Sequence, residues 1–227
     1  MELLNSAYLT LIPKKVEALE SRDFRPISLI HSFAKPVTKL MANRLAPLLD
    51  RLVATNQSAF TRGQCIHDNF MLVQQTIKVL HHRKIVSLFL KFDISKAFDF
   101  ITWAFLLEIL EHLGFGDSWW NLISNLLKSA STQVLLNGEP GNITSHQRGL
   151  RQGDPLSPML FILVMDVLNS LFIQAESEGL LLPLHSTGQR LSLYADDVAL
   201  FIRPEETNLQ LTRSLLHVFG DVYKRVV

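Results

Sequence analysis

Two adjacent aspartates, Asp196 and Asp197, stand between two short apolar runs, Leu191–Tyr194 and residues 198–202. Runs of that length and composition, so closely spaced, predict a β-hairpin with the carboxylates at its tip. A further apolar, partly β-branched run, residues 85–92, predicts a buried strand that ends at Asp93. A carboxylate close to a core is unfavourable unless it is paired or bound to a cation. Two strand-borne acids brought together repel unless a divalent cation lies between them. Aspartate is also an ordinary turn residue. Taken alone, Asp196-Asp197 is more simply turn chemistry.

The rest of the chain alternates helical and extended patterns. Spacings of three and four predict helices over residues 35–52 (kinked at Pro47), 103–113 (stopped by Gly114), 119–127, 159–172 and 209–219. Asp68 or Asn69 can cap another helix running to about His82. Residues 132–136 predict a strand, and Asn137-Gly138 after it is a strong tight-turn signal. Helix pairs mixed with paired strands make an α+β fold rather than a doubly wound sheet. Trp103, Trp119 and Trp120 are expected in the core, and the dipeptide His81-His82 in solvent.

At 227 residues, with 48% hydrophobic and 19% charged residues, the chain can bury a sizeable core and is not disordered. Its single cysteine, Cys65, excludes an internal disulfide and a cysteine-rich zinc site and points to a reducing compartment. No signal peptide is expected from the N-terminus. The best membrane candidate, residues 156–173, is interrupted by Ser157, Pro158, Asp166 and Asn169, and reads as a buried core helix. The net charge of +1 hides an asymmetry. Residues 1–92 carry 13 Lys and Arg against 6 Asp and Glu; residues 93–227 carry 9 against 15. That division fits a polyanion partner for the first part and cation binding in the second, although scattered surface charge has the same composition.

Two more constellations carry chemistry. Arg148-Gly149-Leu150-Arg151-Gln152-Gly153-Asp154-Pro155 precedes the apolar helix. Its glycines permit close backbone approach to a ligand and its arginines suit phosphates or bases. The same residues also describe a turn capped by Asp154, with solvated arginines. Lys14, Lys15, Arg22 and Arg25 form a basic connection between two predicted β segments, suited to a triphosphate or simply exposed.

Taken in order, these blocks resemble the reverse transcriptase of non-LTR (LINE-type) retrotransposons. The resemblance runs through Leu11-Ile12-Pro13-Lys14-Lys15, Asp23-Phe24-Arg25-Pro26-Ile27-Ser28-Leu29, and Gln57-Ser58-Ala59-Phe60 with Gly63, Ile66, Asp68 and Asn69. It continues with Phe92-Asp93-Ile94-Ser95-Lys96-Ala97-Phe98-Asp99, the block from Arg148 through Pro158, and Tyr194-Ala195-Asp196-Asp197. It implies a right-hand polymerase with fingers (mainly residues 1–92) and a ferredoxin-like palm (mainly 93–227) whose antiparallel sheet carries the catalytic aspartates. No thumb is expected within the chain, nor an endonuclease.

The resemblance makes Asp93, Asp196 and Asp197 the catalytic triad and ligands of two Mg²⁺ ions, with Mn²⁺ as a substitute and the Ile94 carbonyl as a further ligand. It makes Phe98 the ring that rejects a ribonucleotide 2′-hydroxyl. Gln152 and Gly153 would touch the incoming nucleotide and template, and Arg25 and Lys14 the triphosphate. The implied partners are an RNA template, a DNA primer and a dNTP, with no membrane; the oligomeric state is left open. An intracellular, nuclear setting would suit the family. The rival expectation is a truncated, inactive retroelement remnant or a non-catalytic nucleic-acid-binding protein.

Overall fold

The computed structural model describes residues 5–20, 23–30, 34–94, 96–184 and 190–224. Arg22 of the basic connection and Ser95 lie outside the described residues. In chain order the elements are β1 (Ser6–Pro13), β2 (Phe24–Ile30), α1 (Ala34–Leu52), α2 (Ile66–His82), β3 (Leu88–Asp93), α3 (Ala97–Phe100), α4 (Trp103–His112) and α5 (Asp117–Lys128). They continue with β4 (Ser131–Leu136), β5 (Glu139–Pro140), β6 (Thr144–Ser145), α6 (Ser157–Ser177), β7 (Leu191–Tyr194), β8 (Asp197–Ile202) and α7 (Glu206–Lys224). The chain is α+β, as expected.

The elements group into two compact units, each assembled from two separate stretches: residues 1–44 with 98–158, and residues 45–97 with 159–227. A single boundary near residue 92 therefore does not describe the grouping. The first unit holds a five-stranded mixed sheet in which β1 lies antiparallel to β2 and parallel to β4. Asn137 and Gly138, with φ of 51° and 88°, make the tight turn from β4 into β5. Such left-handed values at both turn residues suit the twist of a hairpin, and Asn-Gly tolerates them best.

The second unit holds an antiparallel three-stranded sheet in the order β3–β8–β7. Leu193, Val198, Leu200 and Ile202 on β7 and β8 are fully buried. From Leu160 to Met165 the side chains of α6 are all at most 3% exposed, and Leu168 and Phe172 are as deeply buried. A helix that is apolar all round belongs inside. Among the described residues, α6 alone is long and apolar enough to cross a membrane by length and composition, yet this burial uses that surface within the protein. Its polar Asp166 accepts the Ala54 amide at 3.0 Å, and burial raises its pKa.

Several local expectations are corrected. Helix α2 starts earlier than predicted, at Ile66 after Cys65. Asp68 sits in its first turn and accepts the Cys65 amide at 2.7 Å rather than preceding the helix. The strand after it starts at Leu88, not 85, and is largely exposed rather than buried. Residues 83–85 instead close the helix. Lys84 adopts φ 54°, its N–H donates to the His81 carbonyl, and the Ile85 N–H reaches the Leu80 carbonyl at 2.9 Å. This is the Schellman pattern, with Ile85 packing into the cluster of Leu80, Leu184 and Phe201. Pro47 lies inside helix α1. The three tryptophans are half-buried, not core.

Candidate active site

The hairpin of β7 and β8 places the acids. Tyr194 and Asp197 are register partners, so Ala195 and Asp196 form a two-residue turn. Ala195 takes a left-handed φ of 52°, a conformation unusual for a residue with a Cβ. The turn is held from beneath by Gln57, which is completely buried. Its Oε1 accepts the Ala195 N–H at 3.1 Å and the Ala59 N–H at 3.0 Å. Around it the segment 56–58 runs beside β7. The Leu193 N–H donates to the Asn56 carbonyl and the Ser58 N–H to the Leu193 carbonyl. Asn69 adds hydrogen bonds to the Ser192 hydroxyl (2.7 Å) and the Leu193 carbonyl (3.0 Å).

On the other side of β8, strand β3 pairs so that Asp93 lies directly opposite Asp197. Directly opposed residues of an antiparallel pair have Cα atoms only about 4.5–5.5 Å apart. The Ile94 N–H donates to the Asp196 carbonyl at 3.2 Å, continuing the ladder into the turn. The carboxyl groups of Asp93 and Asp196 adjoin within hydrogen-bonding reach. Burial raises the pKa of Asp196, partly offset by a backbone hydrogen bond within the same residue; the charges of Asp93 and then Asp197 raise it further.

Asp197 is half exposed and pairs with Lys91 at 3.4 Å. The expected convergence of three carboxylates is thus an adjoining pair with a third beside it, drawn toward a lysine. Among the described residues no three Asp, Glu, His or Cys groups meet in a ready-made metal cluster. The donor set nonetheless fits a hard divalent cation. It is all oxygen, and its crowded negative charge is what a cation would relieve.

The first unit holds the other candidates. A cleft of about 290 Å³ is lined by Pro26 and Ser28 of β2 together with His146, Arg148, Arg151 and Gln152, among others. The Gln152 carbonyl accepts the Ser28 N–H at 3.2 Å. Gly153 has φ 99°, and a Cβ there would lie 3.2 Å from the Ser28 carbonyl oxygen. Arg25 and Lys14 are exposed and do not line this cleft. Alternation along β2 turns Arg25 to the face opposite Pro26 and Ser28. Lys15 instead pairs with Asp23 at 2.8 Å, a contact that holds the Asp23 carboxyl below its ordinary pKa.

Arg151 is not solvated. It donates to the Asn5 side-chain oxygen at 2.8 Å and also to the Asn5 carbonyl. Arg148 lies over the Phe100 ring, 5.0 Å from its centroid. Asp154 accepts the Leu156 N–H at 2.8 Å, the capping expected of it. Phe98, half-buried in α3, is held at its carbonyl by the Leu150 N–H at 2.7 Å. The structure thus gathers Asp93, Asp196 and Asp197 in one unit, and Gln152 and Gly153 beside β2 in the other. The sequence marks no role for Gln57 and offers Asn69 only as a helix cap; both lie in the block 57–69 that carries the resemblance.

Residues 12–224 match the family described as reverse transcriptase (RNA-dependent DNA polymerase). The chain belongs to that family, in the form found in non-LTR retrotransposons. It is 31% identical over 194 residues to the 149 kDa protein of transposon TX1 from Xenopus laevis. It is 31% identical over 198 residues to the Pol polyprotein of the type-1 retrotransposable element R2 from Nasonia vitripennis. Each match takes in 86% of this chain but only 15% and 18% of the relative. Among solved structures, telomerase from Candida albicans in complex with a telomeric RNA fragment superposes with a TM-score of 0.65. That superposition is at 12% identity and covers 97% of this chain and 40% of the telomerase. Apo telomerase from Candida tropicalis truncated from its C-terminal domain gives 0.60 at 15% identity, covering 98% and 48%. At such identities the likeness shows the fold alone: the fingers–palm fold of reverse transcriptases.

Proposed function

We propose that this chain carries the polymerising centre of an RNA-directed DNA polymerase. It would transfer a nucleotide from a dNTP to a primer 3′-hydroxyl along an RNA template. The observation that carries this reading is Asp93 facing Asp197 across β3 and β8, with the Asp196 carboxyl in the adjoining turn beside that of Asp93. Asp93, Asp196, Asp197 and the Ile94 carbonyl would hold divalent cations, Mg²⁺ or Mn²⁺. When bound, two such ions acidify an attacking hydroxyl and offset the charge of a leaving pyrophosphate. The palm role goes with the unit that holds these aspartates. The fingers role goes with the unit that holds Lys14, Arg25, Gln152 and Gly153.

The protein's own groups do the rest. Arg25 and Lys14 offer charge-assisted hydrogen bonds to the triphosphate. Gln152 and Gly153 present a side-chain amide and an open backbone to the nucleobase and template. Phe98 excludes a ribose 2′-hydroxyl by clash rather than by attraction. The basic first 92 residues favour a nucleic-acid backbone.

Primer extension on poly(rA)/oligo(dT) with dTTP and Mg²⁺ or Mn²⁺ tests the proposal. Incorporation by the wild type, none by Asp196→Ala, and RNA binding by both is the expected result. Equal incorporation by both proteins would discard the site. RNA binding without incorporation by either would favour a non-catalytic nucleic-acid-binding role.

A further inference from the structure

The loop 148–150 is bound to residues 98–103 more closely than any turn requires. The Leu150 N–H donates to the Phe98 carbonyl and the Gly149 N–H to the Ile101 carbonyl, each at 2.7 Å. In return the Gly149 carbonyl accepts the Trp103 indole N–H at 2.9 Å. Gly149 has φ 80°, and a Cβ there would stand 2.8 Å from the Asp99 carbonyl oxygen and 3.1 Å from the Asp99 Cα. Real Cβ atoms do not approach backbone so closely. No other residue can replace this glycine without moving residues 98–101 or the loop. Arg148, stacked on Phe100, closes the same contact from one end.

We propose that Gly149 and Trp103 are positioning residues for sugar selection: they clamp the backbone of Phe98 so that its ring stands where a ribose 2′-hydroxyl would fall. The inference rests on the reading of Phe98 as the excluding ring, and adds what sets that ring's place. Exclusion by clash is steep in distance, so a shift of a few tenths of an ångström in the Phe98 backbone relaxes it. The indole N–H holds Gly149 in place, and Gly149 brings the Leu150 N–H to the Phe98 carbonyl. Trp103 therefore acts on selectivity through two hydrogen bonds without touching nucleotide.

The test compares dGTP with GTP on poly(rC)/oligo(dG), with the primer terminated by a nucleotide lacking its 3′-hydroxyl so that no turnover is needed. The quantity read is the ratio of the two dissociation constants for wild type, Phe98→Ala, Trp103→Phe and Gly149→Ala. Trp103→Phe keeps an aromatic ring and removes the N–H together with the five-membered ring that carries it. Loss of one hydrogen bond is worth about a tenfold change in an equilibrium, so the preference for dGTP should fall by about that factor while dGTP affinity is unchanged. Gly149→Ala should lower the preference further if it folds, and Trp103→Phe decides the matter if it does not. A preference lost in Phe98→Ala but intact in Trp103→Phe overturns the clamp and leaves the ring's role standing. A preference unmoved in Phe98→Ala removes the ring's role, and the clamp with it.

Discussion

Asp93 and Asp197 face each other directly across β3 and β8, although 104 positions apart in the chain. This register sets the Asp93 carboxyl against that of Asp196, the residue before Asp197. Asp196→Asn keeps the size of the side chain and removes its charge. Primer extension should fall by more than the 10–100-fold typical of losing a group that merely supports a metal ligand. Template affinity measured by filter binding should be unchanged. Activity within a few-fold of wild type would exclude Asp196 from the reaction.

The same carboxyl makes stability depend on pH. Its folded-state pKa lies above the ordinary 3.8. Between that value and the raised one, the folded chain keeps a proton that the unfolded chain has lost. Stability contributed by Asp196 therefore falls as pH rises through that window. Thermal unfolding of Asp196→Asn should match wild type below the window and show the higher melting temperature above it. Added Mg²⁺ should raise the wild-type melting temperature by mass action and raise that of Asp196→Asn less. A variant that is less stable at neutral pH than at acid pH, relative to wild type, contradicts the assignment.

Gln57 touches no acid directly, yet it holds the turn that presents Asp196. Gln57→Ala leaves the buried amides of Ala59 and Ala195 without their acceptor. The cost should be about 1–3 kcal/mol in denaturant unfolding. Catalytic rate should drop more than template binding does, since the left-handed Ala195 loses its support. Unchanged stability would mean that the two amides find other partners.

Charge separates two kinds of contact. Affinity for single-stranded RNA should fall linearly with salt on logarithmic axes, with a slope of about −0.7 per phosphate neutralised. Arg25→Ala should raise the KM for dNTP and leave that slope unaltered. If the slope drops while KM stays constant, Arg25 belongs to the template rather than to the triphosphate.

The hairpin was legible because its signal is local: two apolar runs and a turn that fixes where Asp196 falls. Helix α6 was legible for the same reason. The strand ending at Asp93 was read too long and too buried, because an apolar run such as 85–90 does not reveal which residues close a helix and which begin a strand. Ile85 belongs to the end of α2 through a left-handed lysine, a device usually marked by glycine. An indole is largely apolar, so composition alone places Trp103 in the core. Its N–H partner, the Gly149 carbonyl, lies 46 residues away and leaves no mark in the local pattern. Gln57 escaped notice as a support because an uncharged side chain 138 residues from its partner Ala195 has no periodicity to betray it.

The alternation of the two units along the chain has a consequence for any attempt to dissect the protein. The four stretches follow one another as first, second, first, second. No single cut can separate the two units, because every internal bond has residues of at least one unit on both sides. Proteolytic nicking should therefore yield fragments that stay associated or collapse together. Neither unit can be expressed alone as one uninterrupted segment of the natural sequence; its two stretches would first have to be joined by an engineered linker.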